Sequence, residues 1–310
     1  MDIEALKEKI ARLKKDNNAV IMAHYYVPAE VQDVADFIGD SLALAQKAAT
    51  LDCDVIVLCG VHFMGETAKI ICPDKKVIVP DAEAGCSLAD SCPAADFAAF
   101  VAGHPDHLVL SYVNTSAEVK ALTDILVTSG NALKIVDSLP ADAKIIFGPD
   151  RNLGGYINSV TGRNMVLWDG ACHVHEQFSL EKILDLKKQH PGAKILVHPE
   201  CKRPLAMIAD KVGSTAALLK YAHESEATEF IVATESGILH QMQKDCPGKT
   251  FIPAPPDEAG CACNECSFMK LNTLEKLARC LETGQPEIHV DAETARKARR
   301  GIDRMLELSK

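Results

Sequence analysis

The sequence predicts an α/β protein of three similar αβα domains with parallel sheets, set in a pseudo-threefold arrangement around one shared metal centre. Three observations predict it. Short apolar runs alternate with helical stretches along the chain, the pattern of parallel strands buried on both faces. Three of these runs end in polar side chains: Val20-Ile21-Met22-Ala23-His24-Tyr25-Tyr26, Leu108-Val109-Leu110-Ser111-Tyr112-Val113-Asn114 and Lys194-Ile195-Leu196-Val197-His198-Pro199-Glu200. His24 and Tyr112 stand 88 residues apart, and Tyr112 and His198 stand 86 apart. Late in each unit comes a cysteine: Cys86, then Cys172 86 residues on, then the cluster of Cys261, Cys263 and Cys266. One soft ligand per unit suits a metal centre held in common.

Each element has its own justification. Asp2 is placed to cap a first helix, with Ile3, Leu6, Ile10 and Leu13 on one face. The first unit, residues 1–104, then reads as strand 20–23, a helix over 31–50 holding Val34, Ile38, Leu42 and Ala45, strand 55–58, a helical 66–71 and strand 77–79. The second unit, 105–190, supplies strand 108–110, a helix from about Ser116, and strands 145–147 and 165–167. The third, 191–310, supplies strand 195–197, a helix near 214–221, and strands 230–232 and 250–252. A last helix opens at Asp291 with Ile302, Met305 and Leu306 on its inner face. No low-complexity linker separates the units, so they are expected to pack about a shared centre. Polar residues gather at the carboxyl ends of strands, where ligands bind in open α/β folds.

Composition narrows the function classes. At 310 residues, 47% hydrophobic and 25% charged, the chain reads as an ordinary globular protein. A formal charge of −10, with no basic stripe and interleaved aromatics, argues against a nucleic-acid surface. No apolar stretch approaches the roughly 18 residues of a membrane span. The first seventeen residues lack the apolar core of a signal peptide, so the expected address is the cytoplasm. Twelve cysteines in a reducing compartment are not read as disulfides. Cys53 and Cys59, beside and within the run 55–59, fit buried small hydrophobes. Anionic substrates, if these are the ligands, must be captured by local groups.

The repeat brings equivalent positions into register. His24, Tyr112 and His198 form one set, and Tyr26, Asn114 and Glu200 the next. A third set is Ser41 in Gly39-Asp40-Ser41, Ser129 in Thr128-Ser129-Gly130 and Thr215 in Gly213-Ser214-Thr215, again 88 and 86 residues apart. Singly, a His or Tyr after a strand is a hydrogen-bonded core residue, and a Ser or Thr beside Gly is a helix N-cap. Hydroxyls and free N–H groups at helix starts also make an anion site. Three of them converging would suit a ligand with several carboxylates or a phosphate.

The cysteines leave two metals open. Cys261-Ala262-Cys263-Asn264-Glu265-Cys266 could be half of a zinc site, but the second knuckle is missing, and Cys86 with Cys92 matches no zinc spacing. Three thiolates can instead hold a 4Fe–4S cluster with one iron free of protein ligands. A cytosolic zinc-stabilised binder of dicarboxylates is the competing, non-enzymatic reading.

Together these stretches resemble the quinolinate synthase family. The matching motifs are Ala23-His24-Tyr25-Tyr26, Gly39-Asp40-Ser41, Ala84-Gly85-Cys86-Ser87-Leu88-Ala89, Tyr112-Val113-Asn114-Thr115 and Thr128-Ser129-Gly130-Asn131-Ala132. They continue through Pro149-Asp150-Arg151-Asn152-Leu153-Gly154, Trp168-Asp169-Gly170-Ala171-Cys172-His173-Val174-His175, His198-Pro199-Glu200-Cys201, Gly213-Ser214-Thr215 and Cys266-Ser267-Phe268-Met269-Lys270. The resemblance implies a central 4Fe–4S cluster and the condensation of iminoaspartate with dihydroxyacetone phosphate to quinolinate, with release of phosphate and water, in NAD biosynthesis. It implies Cys86, Cys172 and Cys266 as cluster ligands, and a pocket lined by His24, Ser41, Tyr112, Asn114, Ser129, His198, Glu200 and Thr215. Tyr26, Glu200 and His198 would be the catalytic groups, with an aspartate oxidase or dehydrogenase supplying the imine. At one place repeat and resemblance part. Glu258-Ala259-Gly260-Cys261 echoes Glu83-Ala84-Gly85-Cys86, whereas the family motif selects Cys266.

Overall fold

The computed structural model describes residues 2–257 and 264–310. Cys261 and Cys263 lie outside the described residues. Among the described residues twelve strands form three four-stranded sheets. The first holds β1 (Ala19–His24), β2 (Phe37–Gly39), β3 (Val55–Cys59) and β4 (Lys76–Ile78) in the order β2-β1-β3-β4. The second holds β5 (Leu108–Tyr112), β6 (Ile125–Val127), β7 (Ile145–Gly148) and β8 (Val166–Leu167) in the order β6-β5-β7-β8. The third holds β9 (Lys194–Val197), β10 (Lys211–Val212), β11 (Glu229–Ala233) and β12 (Thr250–Pro253) in the order β10-β9-β11-β12. All the strand pairs within the sheets are parallel. One topology is thus used three times, each with its switch point between the first and third strand.

Pairing registers make the copies comparable residue by residue. Ala23 pairs with Cys59, Ser111 with Gly148 and Val197 with Ala233. The residues after Ala23, Ser111 and Val197 are His24, Tyr112 and His198, so the set predicted from spacing occupies one equivalent place.

One expectation is corrected. The helix expected over 31–50 is two helices, Ala29–Val34 and Ser41–Ala48, with β2 between them, and Ile38 belongs to the strand. Each unit has four strands rather than the three expected, the added ones being β2, β6 and β10, which are three, three and two residues long. Strands that short show no alternation in sequence.

Each sheet is covered on both faces, which explains its near-continuous apolar strands. In the third sheet Leu196, Phe230 and Val232 join the largest core, while Ile195, Val197, Ile231 and Ala233 form a second core with Val174 and Phe178. In the second, Leu110 and Phe147 face the large core, and Val109 and Ile146 face Phe97 and Trp168.

After the third sheet the chain returns to the first two. Helix Leu274–Thr283 packs on the N-terminal helix Ile3–Asp16, in which Leu6 and Ile10 are buried and Ile3 is exposed. Asp2 precedes that helix without a side-chain capping bond. The last helix, Ala292–Leu308, lies on helix Ala117–Ala121, β6 and helix His62–Ile71. Asp291 caps it by accepting from the Glu293 and Thr294 amides, and Ile302 and Met305 are buried. Gly301 permits the close approach, since a Cβ there would stand 3.1 Å from the Thr123 carbonyl oxygen. Cys53 and Cys59 are buried, as expected. Among the described residues no helix is long and apolar enough to cross a membrane.

Candidate active site

All twelve residues singled out from the sequence line one cavity. His24, Tyr26 and Ser41 reach it from the first unit, Tyr112, Asn114 and Ser129 from the second, and His198, Glu200 and Thr215 from the third. Cys86, Cys172 and Cys266 line it too. The space is about 690 Å³ including its open mouth. It lies where the carboxyl ends of the three sheets meet.

The two histidines are held alike. The Tyr26 amide donates to His24 Nδ1 at 3.2 Å, and the Glu200 amide donates to His198 Nδ1 at 3.4 Å. An amide N–H can only donate, so Nδ1 is the acceptor in each ring. Burial pushes both imidazoles down to about 3, so both are neutral and carry their proton on Nε2. The same reach from residue 26 or 200 back to residue 24 or 198 is the local reason these side chains face the cavity as a pair.

A hydrogen-bonded chain crosses the floor of the site. The Tyr112 phenol donates to Glu200 Oε1 at 2.6 Å. His175 Nδ1 lies 3.1 Å from Glu200 Oε2, and its Nε2 lies 3.0 Å from Thr234 Oγ1. Thr234 Oγ1 and the Tyr26 phenol are 2.7 Å apart, as are that phenol and Thr215 Oγ1. His175 also stacks on His198, with ring centroids 4.7 Å apart. Burial raises both phenols well above their ordinary value, so they are protonated. Burial opposes the charge on Glu200, but His175 and the Tyr112 phenol hold its carboxyl below the usual range. Sequence reasoning missed His175 and Thr234. His175 lay in plain view in Cys172-His173-Val174-His175, whereas Thr234 carried no signal, since it follows a strand like many threonines.

The hydroxyl set is not spent on capping. Asp40 caps helix Ser41–Ala48 and Ser214 caps helix Thr215–Glu224, each by accepting a backbone amide, so Ser41 and Thr215 are the first helical residues. Their hydroxyls and the helix N-termini face the cavity, a favourable place for negative charge. Asn114 Oδ1 is buried with no partner among the described residues, an atom left for a ligand. No lysine or arginine is among the lining residues.

The cysteines separate by exposure. Among the described cysteines, Cys86, Cys172 and Cys266 are partly exposed, and Cys53, Cys59, Cys72, Cys92, Cys201, Cys246 and Cys280 are buried. The three that face the cavity also share one backbone frame. The amides of His62, Arg151 and Ser236 donate to the carbonyls of Ala84, Gly170 and Asn264, at 2.7, 2.8 and 2.9 Å, and each acceptor lies two residues before its cysteine. Each cysteine carbonyl then accepts the amide four residues on, from Asp90, Glu176 and Lys270. The spatial register therefore equates Cys86, Cys172 and Cys266, although the linear echo ran through Cys261.

This donor set fits a bulky, soft, electron-accepting group such as an iron–sulfur cluster. Three thiols from three units open on one space, and burial raises all three, Cys86 to about 12. Thiols so disfavoured as anions need a bound metal to become thiolates. A single ion has a different option, because the ligand atoms of Cys172, His175 and Glu200 lie within 4.8 Å of one another.

Comparison with known proteins gives one answer. A family model described as Quinolinate synthetase A protein matches residues 8–307. A protein of Synechococcus sp. named quinolinate synthase is 58% identical over 304 residues, 98% of this chain and 95% of its own. One of the same name from Thermosynechococcus vestitus is 57% identical over 97% of this chain and 94% of its own. A third, from Chloroherpeton thalassium, is 55% identical over 98% and 95%.

Proposed function

The chain belongs to the quinolinate synthetase A family, and we propose that it condenses iminoaspartate with dihydroxyacetone phosphate to quinolinate, releasing phosphate and water. The single observation that supports this most is the meeting of nine polar residues and three partly exposed cysteines from three units in one cavity. Cys86, Cys172 and Cys266 would hold a 4Fe–4S cluster. When bound, it supplies an open, Lewis-acidic iron that favours loss of a hydroxyl as water.

The remaining chemistry is assigned to this chain's own groups. Carboxylates and phosphate are taken up by the hydroxyls of Ser41, Ser129 and Thr215, by the two helix N-termini and by the Asn114 side chain, without a lysine or arginine. Neutral His24 and His198 donate from Nε2 to substrate oxygens and orient them. Glu200, ionised in a dry site, takes a proton from carbon or nitrogen. His175 and Thr234 connect it to Tyr26, whose phenol delivers a proton to a leaving oxygen. Tyr112 keeps the second oxygen of Glu200 aimed. The free thiols of the described cysteines support a reducing, cytoplasmic address, with an aspartate oxidase or dehydrogenase upstream to make the imine.

Anaerobic purification with iron and sulfide assay, followed by turnover read as a pyridine dicarboxylate, tests the proposal. About four irons and four sulfides per chain with product formation are expected for one such cluster. An active protein holding only zinc, for which Cys172, His175 and Glu200 offer a seat, would overturn the cluster. Tight dicarboxylate binding without turnover would favour the zinc-stabilised binder.

A further inference from the structure

The three cysteine turns share a backbone frame, but among the described residues two of them have a tie the third lacks. The strand register that equates Cys59, Gly148 and Ala233 also equates the residues two further on, Val61, Asp150 and Glu235. Asp150 Oδ1 accepts the Leu153 amide at 2.7 Å, and its Oδ2 accepts the Cys172 amide at 3.2 Å. Glu235 Oε2 accepts the Gly237 amide at 2.7 Å, and its Oε1 accepts the Cys266 amide at 3.0 Å and Lys270 Nζ at 2.8 Å. Both carboxyl side chains are completely buried.

A helix cap needs one oxygen, and so does a turn. Here each carboxylate spends its second oxygen on the amide of a cysteine that faces the cavity. Burying a carboxylate is costly unless its oxygens are used. Two units with different local sequences, Gly148-Pro149-Asp150 and Ala233-Thr234-Glu235, place one at the same position with the same target. With the preceding carbonyl, the cysteine amide and the cysteine carbonyl all bonded, the peptides flanking Cys172 and Cys266 are fixed and the thiol is left with only its own rotation. Val61 has no side-chain acceptor, and among the described residues the Cys86 amide has no such side-chain tie.

We propose that Asp150 and Glu235 are positioning residues that lock the Cys172 and Cys266 amides and so set two of the three metal-binding thiols in advance, leaving Cys86 as the adaptable one. The proposal rests on the reading of these cysteines as ligands, following the general rule that partners behind the ligands orient them.

The test uses the full chain with Asp150→Ser, which keeps a helix cap but cannot reach a second amide, and Glu235→Gln, which keeps the volume with a single acceptor oxygen. In metal-free protein, alkylation rates of individual cysteines are read by peptide mass mapping. Asp150→Ser is expected to speed labelling of Cys172 alone, and Glu235→Gln that of Cys266 alone, by roughly 10–100-fold for one lost charge-assisted bond. After anaerobic reconstitution both variants are expected to lose iron to a chelator more readily, on the order of 10–100-fold in affinity. No acceleration, or equal acceleration at all three cysteines, overturns the proposal. A wild type that takes up no iron and sulfide overturns the cluster reading alone, and the labelling pattern still decides the positioning.

Discussion

The Tyr112 phenol donates to Glu200 Oε1 across 2.6 Å, joining the end of β5 to the turn after β9. Both groups are buried, so water cannot replace the bond. Tyr112→Phe leaves a buried carboxylate short of one donor. Its kcat/KM is expected to fall by roughly 10–100-fold, the value of a bond to a charged group, with an unchanged circular dichroism spectrum. Full turnover in this variant would remove Tyr112 from the machinery.

Among the described residues, Tyr26 and His175 are joined through Thr234 Oγ1. If protons pass along this line, Tyr26→Phe and Thr234→Val interrupt one path. The expected outcome is a fall in kcat of roughly 10²-fold or more for each, and a double variant little worse than the weaker single. A double-mutant cycle in kcat checks this, because members of one network are not additive. Additive losses would mean two separate roles.

Cys266 shares the backbone frame of Cys86 and Cys172. Anaerobically reconstituted Cys266→Ala is expected to lose the brown colour and most of its iron and sulfide, and Cys261→Ala to keep both. The reverse pattern would return the third ligand to the position marked by the linear repeat.

Lys120 is fully buried, with its ammonium bonded to the Thr115 carbonyl oxygen and lying 5.3 Å from the centre of the Phe63 ring. Burial lowers it from 10.5 to about 8. Between those values the unfolded chain binds the proton and the folded one releases it, so this group adds stability as pH rises from about 8 to 10.5. Lys120→Met removes that titration. The stability of wild type relative to Lys120→Met, measured by urea unfolding, is expected to improve across that window. A constant difference would show that Lys120 does not titrate there.

Much of the fold was legible because parallel strands buried on both faces must be apolar throughout, and runs such as Val55–Cys59 and Glu229–Ala233 stand out. The second strand of each unit was not legible. Phe37–Gly39 and Lys211–Val212 are too short for any period, and their neighbours read as helix. In the site, residues with a repeated offset could be found, whereas Thr234 and Glu235 could not. They have their counterparts at Pro149 and Asp150, and at Gly60 and Val61, positions with no residue type in common.

The sequence by itself determined three α/β units, their period and the polar and cysteine positions that repeat with it, because period and hydropathy are properties of a linear chain. Only the tertiary structure showed that Cys266 sits in the same backbone frame as Cys86 and Cys172, and which carboxylates stand behind Cys172 and Cys266. That equivalence is carried by main-chain bonds such as those from Ser236 to Asn264 and from His62 to Ala84. Backbone amides are the same in every residue, so bonds between distant ones leave no mark in sequence and exist only once strands pair in register.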